Sequence, residues 1–480
     1  MVGKKVVLRR NRKFPYFFIN NYEHVDKKQF GRIIGAIDTE LKYQFKDCER
    51  VPSYQSGAWD GYVTLLRRSK NGNYYFPSGY VDIVKCTFES FGEEVEVEDE
   101  SGIRDYGLLF DWVTDKTLRD YQEDGVDRLY NQICDSGGGG LLWLPTGSGK
   151  TLMLCRLIYY FQQPTIVIVH TKDLLYQWKE EIKNILGVEA AVIGDGKKDE
   201  FRPVTIGMVQ TLYRMVKAKN ASLDYFNVMV ADECHKCPSD TTYFVSMKCP
   251  AHVRIGATAT PKRMDNAEKK MFAATGQLSE PISASELISD GYLAVPKFRF
   301  YRVPFIRINE YRKWNRVRIE GIVANEGRNQ KVLESVVDLV KESHQVYVAV
   351  DVLDHGEILS AMIKNTGIPC VFMHGSHKSK ERKAFVSQFK KGEIKVIVST
   401  LLKEGVDIPE ITAFVNAAGG KSDVALIQRV GRALRQNKTG DKTAVIVDFI
   451  DGGHKWLSDH WDSRWNALRE YYGDHCPFPT

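Results

Sequence analysis

The chain has 480 residues, a net charge of +6, 43% hydrophobic residues and 27% charged residues. At roughly 150 residues per domain, that length excludes a single compact core and implies about three domains. The apolar and charged fractions are ordinary for a soluble globular protein, and no apolar run approaches the roughly 20 residues of a membrane helix.

The basic start MVGKKVVLRRNRKF lacks an apolar signal core and a cleavage site, which argues against secretion. Nine cysteines are scattered along the chain, and an odd, dispersed count argues for reduced thiols in a cytoplasm. Residues 1–92 hold sixteen Lys and Arg against nine Asp and Glu, and the next eight, EEVEVEDE, carry six acids. A basic segment before an acidic run suits a polyanion partner, although a solvated basic surface would carry the same charge. Short alternating segments such as YVTLLRRS and YYFPSGYVDIV, set around NG and SG turns, predict a small α+β domain over 1–112. The acidic run and the SGIRDYG after it read as its boundary.

From about residue 117 the pattern changes. Apolar runs LLWL (141–144), TIVIVH (165–170), VTIGMV (204–209), FNVMVA (226–231) and VRIGAT (253–258) alternate with helical stretches. This predicts a parallel sheet buried on both faces, over 113–298. A second series follows in QVYVAVD, CVFMHG, KVIVST, AFVNAA and TAVIVDF, predicting another α/β domain over 299–455 and leaving 456–480 as a tail. The fold class is therefore α/β, with two tandem parallel-sheet domains behind a small α+β domain.

In LLWLPTGSGKT a strand meets a Gly-rich turn, and Lys-Thr opens a helix. The backbone N–H groups of Pro145-Thr146-Gly147-Ser148-Gly149 and the following helix start form a cradle for phosphates, proline itself lacking the donor. Lys150 would reach the β/γ-phosphates and the Thr151 hydroxyl would ligate Mg²⁺. Leu144 stands where the strict pattern has its first glycine.

The stretch VMVADECHKC admits two readings. A strand delivering Asp232 and Glu233 to its C-terminal edge suits a nucleotide site, with Asp232 holding Mg²⁺ through its water shell and Glu233 activating water. Cys234, His235 and Cys237 invite a zinc reading, but four ligands are needed and only Cys249 lies nearby without a pair. The ligand arithmetic favours the ATPase site.

LPTGSGKT, DECH, TATP (258–261) and QRVGRALR (428–435), in that order on two α/β domains, resemble the superfamily 2 helicases. The resemblance spans roughly 117–450 and implies ATP and Mg²⁺ as cofactors. In LRDYQ it assigns Gln122 to the adenine. In VHTKDLLYQW, MVQTL and STLLKEGVDIPE it implies that Thr171, Gln210, Thr211 and Thr400 contact a nucleic-acid backbone, with Gly405 and Asp407 at the centre of the last motif on the nucleotide side. His235, Thr258 and Thr260 would relay the nucleotide state. Arg432 and Arg435 sit one helical turn apart and Gln428 shares their face. Across an interdomain cleft they would stabilise the transferring γ-phosphoryl, as arginine fingers do. Surface ion pairs are the alternative.

SYQSGAWDGYVTLL (53–66), YYFPSGYVDIV and SEPISASELISDGYL (279–293) are similar more narrowly to phage branch-migration helicases of the UvsW type. This implies a DNA helicase or translocase acting on Holliday junctions and forks in replication, recombination and repair, in the host cytoplasm if the chain is phage-encoded. Trp59 then reads as a stacking or wedge residue, or else as core; Arg67, Arg68 and Lys70 read as phosphate contacts. An RNA helicase, a duplex-translocating motor subunit and a nucleic-acid annealing or scaffold protein are the competing functions.

Overall fold

The computed structural model describes residues 5–45, 47–100, 102, 105–136, 138–260, 268–401, 411–421, 423–434 and 442–479. They form two compact units: Met1–Leu144 with Gly149–Pro281, and Ile282–Thr480 with Pro145–Ser148. Gly405, Asp407 and Arg435 lie outside the described residues.

The first unit starts with a five-stranded sheet in the order Arg67–Arg68, Tyr74–Pro77, Tyr16–Asn20, Val6–Arg10, Val95–Asp99. The acidic run is therefore an edge strand and not a linker. It pairs in parallel with the basic strand Val6–Arg10, where Arg9 meets Glu98 at 2.6 Å and Arg10 meets Asp99 at 3.6 Å. Opposite charge along two adjacent strands is what selects this register. Within YYFPSGYVDIV only YYFP is strand; VDIV opens the helix Val81–Ser90. That helix and Lys27–Leu41 cover one sheet face through Ile33, Ile37, Leu41, Val84 and Phe88.

This small sheet is joined to the next layer through buried polar bonds. Arg10 is fully buried and donates to the carbonyls of Ala251 (2.6 Å) and Pro250 (3.3 Å), while Tyr80 Oη donates to Lys269 O at 3.0 Å. Gly79 admits no side chain: a Cβ there would stand 1.9 Å from Phe272 O.

The second layer is an eight-stranded sheet ordered Lys197–Lys198, Ala191–Gly194, Val204–Met208, Thr165–Val169, Val228–Asp232, Val253–Thr258, Gly139–Trp143, Gln277–Leu278. All pairings are parallel except the hairpin between Ala191–Gly194 and Lys197–Lys198. The three central strands are buried along their whole length, as unbroken apolar runs require.

The second unit holds a six-stranded parallel sheet ordered Val295–Arg302, Thr443–Ile450, Ala413–Asn416, Val346–Ala349, Val396–Ser399, Cys370–Met373. Two expectations change here. The strand Val295–Arg302 straddles the boundary placed at 298/299 and lies wholly in this unit. The supposed tail is the helix Lys455–Tyr472, which buries Leu457, Trp461, Arg464 and Leu468. Among the described residues no helix is long and apolar enough to cross a membrane.

Candidate active site

In the eight-stranded sheet, candidate groups gather at the C-terminal ends of adjacent strands. Gly139–Trp143 runs into the Gly-rich loop, and Lys150 opens the helix Lys150–Phe161. Gly147 and Gly149 take positive φ (91° and 81°), which lets the loop turn tightly at little steric cost. Ser148 Oγ donates to Pro145 O at 2.7 Å, bracing the turn. Lys150 Nζ donates to Leu144 O at 3.2 Å. Gln122 is buried against this loop: its Nε2 would stand 2.4 Å from a Cβ at Gly149.

Val228–Asp232 brings the acidic pair to the same edge. Asp232 Oδ2 accepts from Trp178 Nε1 at 2.9 Å, and Oδ1 accepts from the backbone N–H of Glu233. Burial, then the neighbouring Glu233 charge, push the Asp232 carboxyl up to about 6. Two carboxylates are thus held side by side, Asp232 raised although Lys150, Trp178 and the Glu233 N–H all favour its ionised form. The donor set of Asp232 with the Thr151 hydroxyl fits Mg²⁺ in being all oxygen. Glu233 sits in the left-handed region (φ 53°, ψ 49°), a conformation that costs a non-glycine residue about 1 kcal/mol or more and that clusters at functional sites.

A polar chain leaves the acidic pair. His235 Nδ1 lies 3.3 Å from Glu233 Oε2 and 3.2 Å from Thr258 Oγ1, and Thr258 Oγ1 accepts from Thr260 N at 3.1 Å. The three residues singled out as a relay therefore form a chain that meets Glu233 through His235.

Cys234 and Cys237 are buried among Leu141, Ala231, Met271 and Ala274, while Cys249 belongs to a different cluster around Ile166 and Phe226. Burial pushes the Cys237 thiol up to about 12, which disfavours the thiolate a zinc ion needs.

Thr171 caps the helix Lys172–Leu186, its Oγ1 accepting from Leu174 N at 3.3 Å. Gln210 and Thr211 open the neighbouring helix Val209–Lys217, and Gln210 Nε2 donates to His170 O at 3.5 Å. These residues line the ends of the adjacent strands Thr165–Val169 and Val204–Met208.

In the second unit Thr400 directly follows the strand Val396–Ser399. Gln428 and Arg432 lie one turn apart on the helix Asp423–Ala433. Between them Arg429 donates to Asp351 Oδ1 at 2.6 Å and pins the helix to its sheet.

Matching against known families divides the chain the same way. The family described as type III restriction enzyme, res subunit, matches residues 115–263, and the helicase conserved C-terminal domain matches 328–437. The DNA 3'-5' translocase XPB2 of Sulfurisphaera tokodaii is 26% identical over 400 residues, covering 75% of this chain and 87% of the relative. The ATP-dependent DNA helicase uvsW of Enterobacteria phage T4 is 24% identical over 435 residues, covering 83% of each. The chain is a superfamily 2 DNA helicase.

Two haloarchaeal relatives of this helicase are longer, and the chain spans 52% and 57% of their length. Among solved structures, a fragment of a putative HsdR subunit of a type I restriction enzyme from Vibrio vulnificus YJ016 shares the fold at TM-score 0.57 and 19% identity, over 78% of this chain and 68% of that one.

Three residues of the helicase site escaped the sequence reading. Trp178 orients Asp232, and Trp143 Nε1 donates to Ala259 O at 3.1 Å, tying the TAT segment to the phosphate-loop strand. His170 is held neutral by burial and by Lys236 and His235, its imidazole lowered to about 4. All three lie in or beside quoted motifs, but their partners are distant in sequence.

In the N-terminal sheet region the core alternative for Trp59 does not hold. Trp59 is half-buried outside the core, its indole N–H donating to Tyr62 O at 2.7 Å and its ring edge-on to Phe45. Phe45, Tyr54 and Tyr62 are exposed around it. Arg67 and Arg68 are exposed on an edge strand, and Arg68 stacks over Tyr74.

Proposed function

We propose that this helicase hydrolyses ATP at the loop and acidic pair described above and uses the cycle to remodel branched DNA, as in Holliday-junction branch migration and fork regression. The observation that carries the branched substrate is the N-terminal sheet, basic, packed by buried bonds onto the first motor sheet, and presenting Arg67, Arg68 and the Trp59 aromatic cluster outward. A two-sheet motor grips one DNA path; a rigidly attached cationic surface adds contacts to a further arm.

At the ATP site the loop N–H groups and Lys150 bind the phosphates. Bound Mg²⁺, held by Thr151 and Asp232, would neutralise charge on the β- and γ-oxygens. Glu233, fixed by its backbone turn and by His235, orients the attacking water and accepts its proton. Gln428, Arg432 and Arg435, together with Gly405 and Asp407, supply the second unit's share of the nucleotide contacts, the arginines offsetting charge on the transferring phosphoryl. Gln122 selects adenine. Thr171, Gln210, Thr211 and Thr400 hold the backbone of the DNA, and the Glu233–His235–Thr258–Thr260 chain carries the state of the γ-phosphate towards them. The residues divide by role into 1–112 for substrate choice and 113–298 and 299–455 for the motor.

Charge reversal of Arg67 and Arg68 tests the branched substrate. Because each lost phosphate contact reduces the salt slope by about one, Arg67→Glu with Arg68→Glu should flatten the salt dependence of Holliday-junction binding by about two. Linear-duplex-stimulated ATPase should change less. Equal loss on junction and linear duplex, or no loss on either, would return the N-terminal sheet to a purely structural role.

A further inference from the structure

The sheet face turned away from the helices Lys27–Leu41 and Val81–Ser90 carries a feature that the phosphate contacts leave unused. Tyr16 and Phe18 on one strand and Tyr75 on its neighbour project to the same side, two residues apart and in cross-strand register. Tyr75 lies 5.5 Å from Tyr16 and 5.4 Å from Phe18, ring to ring. The three rings are only half-buried. Together with Phe244 from the motor layer they line an open groove of about 560 Å³, within the 300–1,000 Å³ range of ligand pockets.

Exposed cations flank it. Arg67 stands beside Tyr75 across the strand pairing and Lys248 lies on the opposite wall. The acid at its rim, Asp240, pairs with Lys270 at 3.3 Å. Partly exposed rings on a sheet face with cations on either side match the chemistry of an unstacked base and its phosphates. A paired base offers only its edge and cannot use the rings.

We infer that this groove binds an unpaired nucleotide of a DNA strand, the base stacking on Tyr75 and Phe18, whose rings are tilted by 30°, with Tyr16 edge-on beside them, and the phosphates resting on Arg67 and Lys248. A junction-remodelling enzyme meets such nucleotides wherever arms exchange partners. The inference builds on the proposed DNA-remodelling role, but its test uses unbranched single strands, so it can fail while junction preference stands, and the reverse.

The test compares the full chain's affinity for short oligo(dT) with that for an abasic strand of the same length. Stacking of one base favours oligo(dT) by about 5- to 150-fold. Tyr75→Leu and Phe18→Leu keep an apolar side chain and should bring that ratio towards one while leaving abasic binding unchanged. Lys248→Glu should weaken both strands alike. Photocrosslinking with 5-iododeoxyuridine in the oligonucleotide should label the strand segments bearing Tyr16 and Tyr75. Because Trp59 is a separate candidate for stacking, crosslinks confined to the Trp59 region would overturn the assignment. A wild-type ratio in folded Tyr75→Leu and Phe18→Leu would overturn it too, leaving the groove to a protein segment. Should either leucine variant fail to fold, the wild-type crosslink map decides by itself.

Discussion

The two parallel sheets handle buried charge in opposite ways. In the first unit Asp232 and Glu233 lie side by side, and crowding raises Asp232 to about 6. In the second, Arg464 meets Asp448 at 3.0 Å and Asp451 at 3.2 Å, while Arg328 meets Asp451 at 2.7 Å, all four groups being buried. Those charges offset one another within the protein, whereas at the acidic pair burial and the second carboxylate outweigh the pull of Lys150 and hold Asp232 up. Balanced buried charge marks scaffold; unbalanced buried charge marks a ligand site.

The sharpest way to break the comparison is at the unbalanced site. Lys150→Ala should lose phosphate binding, and Glu233→Gln should keep ATP bound but lower DNA-stimulated kcat by at least about 10²-fold, since a preorganised polar group at the reacting centre contributes on that scale. Steady-state ATPase and nucleotide-binding assays check both; near-normal turnover in either would remove the pair from catalysis.

At the balanced site, Arg464→Leu should leave Asp448 and Asp451 without their shared partner and destabilise the second unit by about 3–5 kcal/mol. Urea unfolding reads this directly. A loss of turnover with no loss of stability would make Arg464 a functional residue and blur the distinction.

His235→Asn tests whether the polar chain transmits. It should lower the DNA-stimulated rate more than the unstimulated one, by a factor on the scale of ordinary site-to-site coupling, about 5- to 150-fold. Equal reduction of both rates would make His235 only a support for Glu233.

The smallest effect is on pH. Asp232 has a folded-state pKa above its ordinary value of 3.8, so its contribution favours the fold below that value and is lost as pH rises through about 6. Without nucleotide, stability should therefore decline across pH 4–6 relative to Asp232→Asn, in which that component is absent. Adding Mg²⁺ with a nucleotide should shrink the difference, because a cation favours the ionised carboxylate. Identical pH profiles for the two proteins would mean that the pair is already compensated.

Much of the fold was open to a reading of the chain alone. Ten apolar runs between 141 and 449 were expected as strands, and each overlaps one in the structure. Uninterrupted Val, Ile and Leu cannot be anything but buried, so they announce central strands. The short strands Ala191–Gly194 and Gln277–Leu278 at the sheet margins, and the mixed Val295–Arg302, carry too little apolar pattern to do so. EEVEVEDE misled for a related reason: its Val95 and Val97 alternate with acids, but six charges in eight residues look like solvent-exposed linker until basic Val6–Arg10 lies beside them.

The same division runs through the site. By itself the sequence determined the phosphate loop, the acidic pair and the two-domain motor, because each is a contiguous stretch whose chemistry depends on neighbours along the chain. Only the tertiary structure decided that Trp178 orients Asp232, that His235 bridges Glu233 and Thr258, that Arg464 is the centre of a buried ion network within a supposed tail, and that Trp59 lies outside the core. Apart from the local His235–Glu233 contact, those facts rest on pairs 13 to 54 residues apart, or on solvent access. Contact between such groups is set by strand order and helix packing, which no local pattern of residues encodes.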